Sequence, residues 1–392
     1  MNTENSPWGI LTGIRPVKIA TALIDQGKTD KEIIAHFTEH YHTTNEKATL
    51  ALETARVELP HREKMLDNGI SLYIGIPFCP TRCLYCSFVT CGTQSAAKLI
   101  PEYVECLKKE IIYTAKLIEK HHKRIETIYF GGGTPTTLSA EQLHILISTI
   151  EENCDLSSLR EFTVEAGRPD TVTEEKLRTL KAHKVERISI NPQTMHQKTL
   201  KIIGRSHTPE QIVNAVRLAR SCGFDNINMD LIAGLPGEDF DMFRTSLEEV
   251  EKLNPEDTTI HTMSIKRSSR LNEYLDEYDL TKGETVAKMV DYARTYLEGL
   301  GKHPYYLYRQ KNILGNLENI GYAKNGKECL YNIYIMEEIQ SILALGCGGS
   351  TKTVDRVSGR IERIFNVKEP QDYIARIDEM LERKNALNTL VF

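Results

Sequence analysis

No stretch of the 392 residues approaches the run of about 20 apolar residues that a membrane-spanning helix needs, so no span is expected. Neither sign of charge dominates. The 49 Lys and Arg stand against 54 Asp and Glu, a formal net charge of -5, which argues against a dedicated nucleic-acid binder but leaves room for a local basic pocket. The opening MNTENSPWGI lacks the basic and apolar regions of a secretory signal. Internal repeats and low-complexity linkers are missing too. Nine cysteines are an odd count in a long chain, and three of them crowd together. That excludes a disulfide scaffold and points to a reducing, cytoplasmic location.

What is there centres on Leu72–Phe88, LYIGIPFCPTRCLYCSF. Cys79, Cys83 and Cys86 follow a short apolar run that reads as a strand. Three thiolates so close must share one centre, and soft sulfur selects zinc, copper(I) or iron–sulfur. The second Cys/His pair that completes most zinc sites does not occur nearby. A four-iron cluster held by three cysteines would keep one iron open for chemistry.

The Cys-x₃-Cys-x₂-Cys spacing with Tyr85 inside it resembles radical S-adenosylmethionine (SAM) enzymes. With LTGIRPVKIA near the start and RIERIFNVKEPQDYIARIDEM near the end, the whole string resembles the oxygen-independent coproporphyrinogen III oxidase family. Its nearest branch is the coproporphyrinogen dehydrogenases of Firmicutes-type bacteria. The resemblance implies a [4Fe-4S] cluster on Cys79, Cys83 and Cys86 whose open iron chelates SAM, with two SAM used per turnover. It implies that a 5′-deoxyadenosyl radical drives loss of hydrogen and CO₂ from two propionates of coproporphyrinogen III. The product is protoporphyrinogen IX, in heme biosynthesis. A reduced flavodoxin- or ferredoxin-type donor and a final electron acceptor, not identified by the sequence, would serve the reaction. Relatives with LTGIRP carry a further region before it, so the chain is expected to be a short or trimmed form.

From Ser71 the pattern repeats strand, loop and helix six times, which implies parallel strands with crossover helices. Open sheet and barrel are not separable on pattern alone. The resemblance implies an α/β fold, a partial (β/α)₆ radical SAM barrel over residues 69–300. An N-terminal helical extension (1–68) precedes it and a mainly helical, substrate-covering C-terminal domain (301–392) follows. Strands are expected at Leu72–Ile76, Ile125–Phe130, Arg160–Glu165, Val185–Ile190, Asn226–Ile232 and Thr259–Ile265. Pro60 is expected to break or kink a helix over Glu46–Leu66. Tyr331–Leu345 reads as one helix.

Gly131-Gly132-Gly133-Thr134-Pro135 follows the second strand, where glycines open the backbone to a small zwitterion. Glu165 ends the third strand, Gln193 follows the fourth, Arg205 comes twelve residues later, and Asp230 lies in the fifth. The family resemblance assigns Gly132, Gly133, Thr134, Glu165, Gln193, Arg205 and Asp230 to SAM. Tyr73 and Phe88 flank its site, and Ile265 borders adenine. Gly75 stands where many relatives have His. Ser87 and Phe88 stand where the best-known oxidases continue with another Cys, while Cys91 and Cys347 are further thiol candidates. A substrate with four carboxylates calls for cations, and Arg267, Arg270, Arg309 and Lys311 are the candidates, with Tyr305, Tyr306, Tyr308 and His303 beside them. The rival readings are another radical SAM enzyme that modifies a tetrapyrrole, a non-catalytic iron–sulfur protein, and a heme chaperone or heme-binding relative. The chaperone's HNxxYW motif is absent, and Gly315–Tyr322 occupies that region.

Overall fold

The computed structural model describes residues 6–13, 15–88, 91–92 and 98–391. Ile14 of the LTGIRP motif and the Cys91 side chain lie outside the described residues. One sheet of 11 strands runs through the molecule. At its centre are β1 (Gly69–Ile76), β2 (Arg124–Gly132), β3 (Glu161–Glu165), β4 (Arg187–Ser189), β5 (Ile227–Ala233) and β6 (Asp257–Thr262). These six run parallel to one another. Both faces of β1 are buried except at Tyr73, which is why its sequence is a near-continuous apolar run instead of an alternation.

Crossover helices cover the sheet, including Ile100–Lys120, Ala140–Asn153, Glu174–Ala182, Pro209–Ser221 and Phe240–Glu251. Their starts are written locally. Ser139 and Gln142 form a reciprocal capping box, as do Thr208 and Gln211. The partial (β/α)₆ barrel therefore stands. β6 ends at Thr262, three residues before the expected Ile265, because Ser264 leaves the ladder to bridge Ile313.

The tail contains helices and more strands than expected. β7 (His303–Tyr308) and β8 (Asn319–Ala323) are antiparallel and extend the sheet beyond β6. The single helix expected over Tyr331–Leu345 divides in two. Leu330–Glu337 is helical, Glu338 caps it with φ 54°, and β9 (Ser341–Leu345) follows. A buried apolar run of five is compatible with either periodicity, and the left-handed residue decides where the helix stops. β9 pairs parallel with β1, Tyr73 opposite Ala344. β10 (Ser350–Val354) and β11 (Ile361–Phe365) complete that edge. The sheet is thus continuous across residue 300.

The N-terminal helices Pro16–Asp25, Asp30–Ala35 and Asn45–Glu63 pack on one another and on β7. Pro60 sits inside the last of these without ending it. It falls in the final turn, where its missing N–H forfeits a single hydrogen bond. Trp8, fully buried, donates from Nε1 to Glu318 Oε2 at 2.6 Å, and Lys47 Nζ donates to Glu318 Oε1 at 2.6 Å.

Candidate functional site

The cysteine loop leaves β1 directly and is pinned from several sides. Gly133 N donates to Ile76 O (2.7 Å) and Thr134 N to Phe78 O (2.8 Å). Leu84 N donates to Ile203 O (3.0 Å), and Thr81 Oγ1 to Gly204 O (2.5 Å). From below comes Arg168, a buried guanidinium. It donates to Thr81 O (3.3 Å) and Thr81 Oγ1 (3.0 Å) and stands 3.9 Å from Cys83 Sγ, with Asp170 at 3.4 Å on its far side. Cys79, Cys83 and Cys86 are all unpaired and half-buried. Burial, and then the neighbouring sulfurs, push the Cys79 thiol up to about 11, although a contact with Thr134 Oγ1 at 3.4 Å opposes this. Burial raises Cys86 as well.

These thiols fit an iron–sulfur cluster. They are close enough to disfavour one another's charge, they lie on one braced loop, and none is in a disulfide. A cationic metal centre would reverse the burial penalty on their thiolate forms. Among the described residues no three His, Cys, Asp or Glu side chains converge on a single ion; sulfurs that ligate separate corners of a cluster need not.

Beside the loop, the glycines make a cradle. Gly132 has φ +106°, a conformation few side chains adopt. A Cβ on Gly133 would meet Phe78 O at 2.7 Å and Ile76 O at 2.9 Å. Two carboxylates stand close to this corner. Glu165 accepts from Tyr129 Oη at 2.7 Å. Burial, opposed by that bond and reinforced by Asp230, carries the Glu165 carboxyl up to about 7. Asp230 is different. Burial acts against its charge too, but His261 at 3.5 Å and the Asn228 amide at 2.7 Å hold it below its ordinary value. Gln193 is strained, with φ 68°, because its N–H and C=O bridge across to Asp230 O and Ile232 N. Its side-chain Oε1 is buried without a hydrogen-bond donor. Both orphaned acceptor and glycine cradle fit a polar ligand such as SAM.

Arg205 is more committed than the expected carboxylate clamp. Its Nη1 donates to Asn191 O (2.5 Å) and Gly167 O (3.3 Å), and its Nη2 to Tyr85 Oη (3.4 Å), which leaves only Nε without an acceptor. Tyr73 stacks on Tyr129 and Tyr331 at 6.2 and 6.1 Å.

The loop opens on a cavity of ≈ 200 Å³. Of the expected site residues, Cys86, Phe88, Gln193 and Tyr308 line it, Phe88 being 63% exposed. Ile265 packs beside the wall, with Leu84, Ile232 and Met263. The expected basic residues are elsewhere. Arg309 faces the N-terminal segment, donating to Leu11 O (2.7 Å) and Asn316 Oδ1 (2.6 Å) over the Trp8 ring. Strand alternation explains the correction: Tyr308 and Gln310 face the cavity, so Arg309 faces away. Arg270 lines a separate groove with Arg82 and Glu277. Arg267 and Lys311 are exposed and outside the lining. Lys266, His261 and Arg168 were missed. The same parity could have found Lys266, since Ser264 and Lys266 share a side and Ile265 the other.

The Radical SAM superfamily signature matches residues 73–250. The oxygen-independent coproporphyrinogen-III oxidase-like protein HemZ of Bacillus subtilis is 44% identical over 381 residues, 96% of this chain and 76% of that protein. The chain belongs to the oxygen-independent coproporphyrinogen-III oxidase-like family of radical SAM proteins. Another relative, the heme chaperone HemW of Bacillus subtilis, is 32% identical over 293 residues, 73% of each chain. The solved coproporphyrinogen III oxidase (HemN) of Escherichia coli shares the fold, with TM-score 0.63 at 22% identity over 84% of this chain and 73% of that one. A radical SAM domain takes SAM and, typically, a [4Fe-4S] cluster, and the loop and cradle of this family member have the donors for both. No helix among the described residues is long and apolar enough to cross a membrane.

Proposed function

We propose that this radical SAM oxidoreductase converts two propionates of coproporphyrinogen III to vinyl groups without oxygen, giving protoporphyrinogen IX. At each arm, –CH₂–CH₂–CO₂⁻ becomes –CH=CH₂. One hydrogen atom leaves the β carbon, CO₂ departs, and one electron passes to an acceptor. The observation that carries the reading is the braced thiol loop opening, through Cys86, on a cavity with aromatic and cationic lining. The near full-length likeness to a coproporphyrinogen-III oxidase-like protein supports the substrate class.

Cys79, Cys83 and Cys86 would hold the cluster. Gly132, Gly133 and Thr134, with Glu165, Gln193, Arg205 and Asp230, would hold SAM, flanked by Tyr73, Phe88 and Ile265. When bound, the two groups supply hydrogen-atom abstraction driven by a single electron. The chain itself orients and excludes water. Asp230 stays ionised and accepts hydrogen bonds. Glu165, near its midpoint at neutral pH, accepts or donates. Arg168 and Arg205 keep the loop rigid while Cys86 faces the cavity.

The test is anaerobic reconstitution with iron and sulfide, followed by incubation of coproporphyrinogen III with SAM and a reduced flavodoxin- or ferredoxin-type donor. Mass analysis should find mono- and divinyl products, and release of 5′-deoxyadenosine should accompany them. The HemW likeness favours one second reading, a heme chaperone. Stoichiometric heme binding without vinyl product would put that reading in place of the first.

A further inference from the structure

Lys266 follows the last parallel strand, and the segment it begins is stitched onto the cysteine loop. Arg82 Nη2 donates to Ser268 O (2.8 Å), Ser268 Oγ to Ser87 O (3.3 Å), and Leu271 N to Leu84 O (2.9 Å). On the other side Ile265 N donates to Asn312 O (3.1 Å). The backbone is therefore fixed at both ends of the four residues 265–268, and Lys266 is held on the wall of the cavity that Cys86 also lines. Its ammonium is half-buried; among the described residues no carboxylate stands within ion-pair distance of it, and the charged neighbour acting on it is the Cys86 sulfur.

The other cations near this end of the barrel are occupied. Arg168 is taken up by Thr81 and Asp170, and Arg205 by carbonyls. A partly desolvated charge is costly without an opposite one. The wall also carries apolar and aromatic surface, from Phe88, Ile232, Met263 and Tyr308, and polar groups that include Gln193, His261 and Gln310. That combination suits a flat apolar body carrying an acid on a short arm.

We propose that Lys266 binds a carboxylate of the substrate and thereby selects which acidic arm is presented to the cysteine loop. This rests on the decarboxylase reading above. Lys266 thus supplies the cation that the neighbouring Arg267, Arg270, Arg309 and Lys311 do not bring to the cavity.

The experiment uses coproporphyrin III, the oxidised porphyrin with the same four carboxylates, bound to the reconstituted protein without reductant and followed by fluorescence quenching. Its tetramethyl ester is the uncharged control, and S-adenosylhomocysteine, followed by calorimetry, reports on the cofactor side. Lys266→Met should weaken coproporphyrin binding about tenfold or more, the weight of one charge-assisted contact, and Lys266→Arg should restore most of it. Ester and S-adenosylhomocysteine should bind all three proteins alike. Equal coproporphyrin affinity in Lys266→Met and the unaltered protein overturns the assignment while leaving the decarboxylase reading intact. So does a loss confined to S-adenosylhomocysteine, which would make the carboxylate the cofactor's own. An unaltered protein that binds no coproporphyrin removes both together.

Discussion

Gly133→Ala adds one methyl group at the tightest point of the candidate site. The new carbon would lie 2.7 Å from Phe78 O, 2.9 Å from Ile76 O and 3.0 Å from Phe78 N. All three are backbone atoms, so no side chain can swing aside. Relief requires separating β1 from the glycine turn by a few tenths of an ångström, which strains the bonds Gly133 N→Ile76 O and Thr134 N→Phe78 O. Overpacking of this kind costs about 1–3 kcal/mol, and loss of one of the two bonds adds about 1 kcal/mol. The helix residue Gly299 supplies the opposite case. A Cβ there meets nothing within 4 Å, and Ala in place of Gly should stabilise by up to about 1 kcal/mol. Chemical denaturation of both variants, without added cofactor, should give opposite signs. The Gly133 variant should also bind S-adenosylhomocysteine more weakly. A Gly133→Ala protein as stable as the unaltered chain would refute the steric reasoning, whatever its activity.

Three further outcomes follow from the geometry. Glu165 holds its proton up to about 7 in the folded protein against an ordinary 4.5, so it contributes about 3 kcal/mol of stability. That contribution is present below pH 4.5 and lost as pH rises through about 7; the stability difference between the unaltered chain and Glu165→Gln, measured from pH 4.5 to 8, should shift by that amount. Asp257 pairs with buried Arg187 at 2.5 Å and accepts from Tyr305 Oη at 2.6 Å. Asp257→Ala should cost about 3–5 kcal/mol, because it strands a guanidinium, whereas the double change Arg187→Met, Asp257→Leu should cost clearly less in the same denaturation assay. Cys83→Ala should fall well below the parent in iron and sulfide retained per chain after anaerobic reconstitution, and equal retention would remove Cys83 from the ligand set.

Much of the barrel was legible because its units are local. Capping residues, apolar strands and closing glycines announce each crossover within a dozen residues, and the strands from β1 to β5 are where those signals put them. The tail was less legible. Ser341–Leu345 has no strand alternation, since both its faces are buried, and it is a strand through its pairing with the distant β1 on one side and with β10 on the other. Within the site, the three cysteines and the glycine turn were readable from spacing. The cations were not, because Arg309 and Lys266 are equally basic in sequence and differ only in which face of their segments they occupy. Arg168 escaped notice for another reason. Its contact with Thr81 spans 87 positions and depends on how β3 and the cysteine loop meet.

The pairing of β9 with β1 also governs the order in which the molecule can be made. The strand that launches the cysteine loop is synthesised early, yet one of its flanks stays bare until residue 345 has left the ribosome. A nascent chain ending near 300 would present two open strand edges, at β1 and at β6, both prone to self-association. The strand that launches the metal-binding loop therefore gains its second neighbour only after residue 345 has been made, although every brace on the loop itself comes from residues up to Leu271.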